Sequence, residues 1–88
     1  MIDQEEVRRM QWAARRGMLE LDLVLEPFVN QRYSELSDSD RAIFQRLMLR
    51  EDQELFSWLL QREAPEDKEL AAIIKQILKF ARTVPADR

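Results

Sequence analysis

Glu20 and Asp22 offer a pair of carboxylates for acid/base work, and their spacing argues against it. Two residues apart on a helix, they face different directions and do not converge on one reacting atom. Glu63, Glu66, Asp67 and Glu69 cluster further along, but they stand where a helix is expected to begin, and the helix dipole alone favours acidic side chains there. The chain has no histidine and no cysteine. The commonest general base, the thiolate nucleophile, disulfides and the usual structural zinc sites are therefore all excluded. No independent enzyme is expected from these residues. Recognition chemistry remains. Between Trp12 and Asp22 the chain reads Trp-Ala-Ala-Arg-Arg-Gly-Met-Leu-Glu-Leu-Asp, with the only glycine of the protein, Gly17, at its centre. Guanidinium forks at Arg9, Arg15 and Arg16 suit carboxylates or backbone carbonyls of a partner.

Each of these residues also has a plain structural reading. Gly17 suits a left-handed helix cap, and equally a flat spot where a partner's backbone approaches closely; the two hold together. Arg15 and Arg16 suit the negative end of a helix dipole, and Glu20 and Asp22 a first turn, each worth about 0.3–1 kcal/mol at an exposed site. Trp12 falls off the apolar stripe of its helix and reads either as a semi-core aromatic or as a contact. Met18 is core filling or an adaptable surface contact.

The elements that position this cluster are helices. Val7, Met10 and Ala14 share one side of a first helix expected from about Glu5 to Arg16, which Gly17 stops. A second helix begins near Met18, with Leu21, Val24, Leu25 and Phe28 at helical spacing. Pro27 predicts a kink, or a break with a third short helix from Pro27 to about Tyr33. Ser37 reads as the N-cap of a helix carrying Ile43, Phe44, Leu47 and Met48. Asp52 reads as the N-cap of the next, which turns Leu55, Phe56, Leu59 and Leu60 inward, with Trp58 also assigned to the core. After Pro65 comes the cleanest amphipathic run, Leu70, Ile73, Ile74, Ile77, Leu78 and Ala81. No strand or hairpin signal is present. The expected fold is all-α: about five short helices in one domain spanning 1–88, with frayed ends at about 1–4 and 84–88.

With 88 residues, 45% of them hydrophobic and 35% charged, the chain has the composition of a folded globular protein, with only about 60–65% of its surface to bury. A net charge of −3 gives no basic excess for nucleic acid. The segment holding Arg8, Arg9, Arg15 and Arg16 is locally positive, and the stretch with Asp38, Asp40, Glu51, Asp52 and Glu54 locally negative, an asymmetry that suits docking on a mixed-charge protein surface. No apolar run is long enough to span a bilayer and no presequence is evident, so membrane insertion is not expected and cytoplasmic residence is.

The core Arg16-Gly17-Met18-Leu19-Glu20 resembles the Arg-Gly-x-x-Glu signature of a family of bacterial and mitochondrial assembly factors for the succinate dehydrogenase flavoprotein. The likeness includes Trp12 upstream, Leu21-Asp22 following and a later Asp52-x-x-Leu55-x-x-Trp58-Leu59 spacing. It continues through Tyr33, Leu36, Phe44 and Leu47, and so covers most of the chain. The resemblance implies a chaperone-like factor that binds the flavoprotein subunit of succinate dehydrogenase, or of the related fumarate reductase, and promotes covalent attachment of FAD. A client histidine then bonds to the flavin, and the chemistry belongs to the client. The chain itself lacks the His or Cys that usually carries covalent flavin and has no Gly-x-Gly-x-x-Gly turn, so it is expected to bind no cofactor tightly. The expected partner face comprises Arg9, Trp12, Arg15, Arg16, Gly17, Met18, Glu20 and Asp22, on a monomer. Two other classes stay open. One is an antitoxin-like or cytoskeleton-interacting regulator using the same surface. The other, a helical nucleic-acid binder using the Arg8–Arg16 segment, is disfavoured by the acidic balance.

Overall fold

Asp3 starts the first helix by accepting the Glu5 backbone N–H at 3.1 Å, and local choices of this kind set most helix beginnings in the protein. The computed structural model describes residues 3–83. They form α1 (Gln4–Ala13), α2 (Leu19–Arg32), a 3₁₀ turn (Tyr33–Glu35), α3 (Asp38–Leu47), α4 (Asp52–Leu59) and α5 (Lys68–Thr83). Among the described residues there is no strand, and the all-α expectation holds. Of the two ends expected to fray, residues 1, 2 and 84–88, Pro85 included, lie outside the described residues, while Asp3 and Gln4 are the cap and first residue of α1.

The first helix differs from expectation at its far end. It stops at Ala13, with Ala14 as C-cap in ordinary right-handed geometry, so Arg15, Arg16 and Gly17 lie in the connection beyond it. Ala14 is fully buried, which plants the chain in the core and turns it before Gly17 is reached. Neither arginine therefore lies within α1, although the Arg16 side chain still reaches back to its last carbonyl, and Gly17 is not its cap. Of the two outcomes expected at Pro27, the break is not found, since α2 runs through it as one helix. Leu21 and Leu25 before the proline, and Phe28 and Val29 after it, are all buried. Both halves are anchored in one core, and that burial outweighs the ~3 kcal/mol a mid-helix proline costs. No separate helix begins at Pro27; only Tyr33–Glu35 tighten into 3₁₀ geometry.

Ser37 caps α3 as expected, its hydroxyl accepting the Asp40 N–H at 3.1 Å. The cap of α4 is Glu51 instead of Asp52: Glu51 and Glu54 form a reciprocal capping box. This frees the Asp52 carboxylate for another use. Arg50 grips Glu54 with two donors, Nε at 3.0 Å and Nη2 at 2.8 Å. That grip, with the Glu51 backbone N–H, lowers the Glu54 pKa from 4.5 to about 2. A depressed carboxyl contributes stability that is present above its unfolded value and lost as pH falls through its folded one. Glu54→Gln is therefore expected to flatten the acid limb of the stability profile between pH 4.5 and about 2, read by urea denaturation across that range. At its other end α4 closes with Gln61 at φ 62°, where the Gln61 and Arg62 N–H groups donate to the carbonyls of Trp58 and Ser57 at 3.1 and 2.9 Å. The left-handed position usually given to glycine is filled here at a cost of about 1 kcal/mol.

α5 packs against α2, α3 and α4 through Leu70, Ile73, Ile74, Ile77 and Phe80, all buried. At the centre Phe28 stacks on Phe44 with centroids 5.6 Å apart and meets Phe80 edge-on at 5.6 Å, while Tyr33 lies 5.5 Å from Phe44. Trp58 is core, as expected, whereas Phe56 is half-buried and Leu60 exposed. The outer face of α5 carries Lys68, Lys75 and Lys79, all exposed and the only lysines in the sequence.

α1 contributes no fully buried residue; it packs on the core through half-buried Val7, Met10 and Ala13, and polar bonds tie it to the 3₁₀ turn and α3. Glu6 is the main fastener. Its Oε2 accepts from the Tyr33 hydroxyl at 2.7 Å, Gln45 Nε2 at 3.1 Å and Arg41 Nε at 3.2 Å. Burial pushes the Tyr33 pKa up to about 12, so the hydroxyl stays a donor at every physiological pH.

Candidate functional site

Beyond the buried Ala14, the connection between α1 and α2 is four exposed or half-buried residues, 15–18, held at fixed points from below. Arg16 does most of the holding. Its Nε donates to Asp52 Oδ1 at 2.7 Å, Nη1 to the Ala13 and Met48 carbonyls at 2.9 Å each, and Nη2 to the Arg50 carbonyl at 2.8 Å. The side chain is 15% exposed. Its backbone N–H donates to Asp22 Oδ1 at 2.8 Å, so the bend is tied to the start of α2 as well. One guanidinium thus satisfies carbonyls left over at the ends of both α1 and α3, groups that a helix cannot pair internally.

Gly17 follows at φ 80° and is exposed. A Cβ built on it would meet no heavy atom within 4 Å. The glycine is required by its backbone conformation, and the space above it is open. Met18 then serves as N-cap of α2 without a side-chain cap bond, half-buried against the core. Glu20 is exposed in the first turn, and it makes no hydrogen bond or ion pair among the described residues.

On the α1 side, Trp12 is 70% exposed, which decides its two readings in favour of a surface aromatic. The Arg15 guanidinium lies 5.8 Å from its ring centroid, and Arg15 Nε is 3.7 Å from Glu26 Oε2. With Gln11 and Asn30, which share a 3.0 Å hydrogen bond, these three residues line a shallow groove of about 360 Å³ between α1 and α2. Arg9 lies one turn before Trp12, exposed and without a bond among the described residues.

The eight residues named from sequence therefore divide. Arg9, Trp12, Arg15, Gly17 and Glu20 are exposed around the bend, and Met18 is half-buried beside it. Arg16 and Asp22 are turned inward. The fork expected to reach a partner's carboxylates or carbonyls is filled by the protein's own, because the ends of α1 and α3 converge there. Glu20 and Asp22 do face apart, as their spacing implies. The acidic stretch from Asp38 to Glu54 is largely paired internally: Asp38 with Arg41, Asp40 with Gln76, Asp52 with Arg16 and Glu54 with Arg50. It offers less free negative surface than its composition implies.

Sequence reasoning missed Asp52 as a support of the bend, since its partner lies 36 residues away. It also missed the exposed leucines. Leu19 and Leu23, 68% and 66% exposed, stand one turn apart off the Leu21-Leu25-Phe28 line, a departure that helical periodicity does reveal. Leu49, 85% exposed, lies in the α3–α4 turn between Met48 and Arg50, whose carbonyls Arg16 holds.

The model of a family described as flavinator of succinate dehydrogenase matches residues 8–81. The chain is 46% identical over 78 residues to a protein of Pseudomonas syringae pv. syringae named FAD assembly factor SdhE, covering 89% of this chain and 93% of that protein. Proteins of the same name in Idiomarina loihiensis and Colwellia psychrerythraea are 49% and 51% identical over 74 and 71 residues. Those alignments cover 84% and 81% of this chain and 82% and 78% of the relatives.

Proposed function

The chain belongs to the succinate dehydrogenase flavinator family, and from that premise we propose that it binds the flavoprotein subunit of succinate dehydrogenase and promotes covalent attachment of FAD to it. The observation that carries the site is the Gly17 bend: an exposed backbone with open space above it, fixed from beneath and flanked by an aromatic ring and free charges. Such a surface is suited to close approach by another chain, because little of it must be ordered on binding.

The covalent chemistry stays with the client. A client histidine forms the bond to the flavin, and the assembly factor holds the client in the arrangement in which histidine and flavin meet, a shift of population that needs only preferential binding to that arrangement. FAD belongs to the client throughout, in keeping with a sequence that has neither histidine nor cysteine to bond it. The flavoprotein of fumarate reductase is a second client of the same surface. The factor works as a monomer in the cytoplasm, without catalysis of its own. Among the described residues no helix is long and apolar enough to cross a membrane.

The experiment pairs two measurements. Tagged protein is used to capture the flavoprotein, and covalent flavin in the client is read by in-gel fluorescence in cells with and without this chain. Capture together with a loss of client fluorescence in the deletion strain is expected. Normal flavin loading of every respiratory dehydrogenase in that strain overturns the proposal.

A further inference from the structure

We infer that Asp52 is a positioning residue for client binding, acting through Arg16 to hold the Gly17 bend in the shape that a partner meets. This rests on the function proposed above. Three observations carry it. The Arg16 guanidinium makes four bonds within the protein, and the one to Asp52 is the only one to an ionised acceptor. All four are charge-assisted, because the donor is ionised, but only this one pairs opposite charges. The other three go to carbonyls at the end of α1, at the C-cap of α3 and in the α3–α4 turn, which fix where the guanidinium sits but not its charge balance. Finally, the Arg16 backbone N–H, part of the peptide that joins it to Arg15, is held by Asp22, so the residue before Gly17 is fixed through both its backbone and its side chain.

Asp52 is free for this task only because Glu51 caps α4 with Glu54. An N-capping role would direct the Asp52 carboxylate along its own helix. Instead Asp52 stands as the first helical residue and couples the start of α4 to the bend, so that α3, α4 and the α1–α2 connection share one polar junction. The functional surface thus depends on a side chain outside the Arg-Gly-x-x-Glu segment.

The test compares Asp52→Ala and Asp52→Asn with Ile74→Val, a trimming of the core on α5. All are assayed at a temperature where circular dichroism shows each fully folded. Expected for Asp52→Ala are about tenfold weaker binding to apo-flavoprotein, the change that loss of one charge-assisted bond produces, and loss of amide-exchange protection at the Arg16 N–H in the free protein. Asp52→Asn, which keeps an acceptor but not the charge, is expected to fall between Asp52→Ala and wild type. Ile74→Val is expected to change neither reading, whatever it does to thermal stability. In an Arg16→Met background, Asp52→Ala is expected to cost nothing further, since the two act as one unit.

Wild-type binding and exchange in Asp52→Ala overturn the inference, as does a loss that simply follows melting temperature in Ile74→Val too. An additive loss in the Arg16→Met background overturns it as well, in favour of direct contact by Asp52. If the wild-type chain itself fails to bind apo-flavoprotein, the proposed function falls and this inference with it. If wild type binds and Gly17 variants do not, while Asp52→Ala binds normally, only the inference falls.

Discussion

Phe44→Ala is expected to lower the free energy of unfolding by about 3–5 kcal/mol. Phe44 is fully buried, stacks on Phe28 and touches Tyr33, so its removal opens the middle of the aromatic cluster that joins α2 to α3. For a domain of this size the total is about 4–13 kcal/mol, and the loss takes a large share of it. The melting temperature is expected to drop by more than about 12 °C, followed by far-UV circular dichroism or a urea titration. A loss below ~1 kcal/mol would mean that Phe28, Tyr33 and Phe80 close over the gap, contrary to the rigid packing described.

Gly17→Arg is expected to abolish most client flavinylation while leaving the fold in place. The positive φ of Gly17 makes any side chain there cost about 1–2 kcal/mol of backbone strain. The open space around it means that no atom of the protein is struck. What is struck is whatever approaches the bend. A bulky cation at the centre of an interface costs about 2 kcal/mol or more of binding, some thirtyfold in affinity. Glu20→Ala provides the companion test, since Glu20 is exposed and without a bond among the described residues. It is expected to lower client flavin while the melting temperature falls by no more than the several degrees its first-turn dipole contribution allows. With each variant as the sole copy, undiminished client fluorescence would remove Gly17 and Glu20 from the partner face. Unfolding of Gly17→Arg would show that the glycine is needed for the fold alone.

The apolar spacing of α3, α4 and α5 was readable because each helix carries its own start signal and its own stripe. The α1–α2 junction was not. Arg15 and Arg16 extend a helical pattern in sequence, yet the helix ends at Ala13 because Arg16 finds acceptors at Met48, Arg50 and Asp52, contacts of 32 to 36 residues that no local pattern reports. At Pro27 the local rule allows a kink or a break, and burial on both sides of the proline keeps the helix continuous. At Glu51-Asp52 two acidic neighbours compete for one cap, and Glu54 decides between them by completing the box with Glu51. For the partner face, Trp12, Gly17 and Glu20 were legible as oddities of composition. The division between exposed and supporting members is set by contacts between residues far apart in sequence.

The lysines on α5 have a practical consequence. Side-chain amines occur at Lys68, Lys75 and Lys79 alone, on a helix that α1 does not number among its main packing partners. Succinimidyl dyes and amine-coupled sensor surfaces therefore reach side chains of this protein only on α5, and no side chain of the Trp12–Glu20 segment offers an amine to tether. A fluorophore placed there would travel with the protein onto its client as a passive reporter of docking.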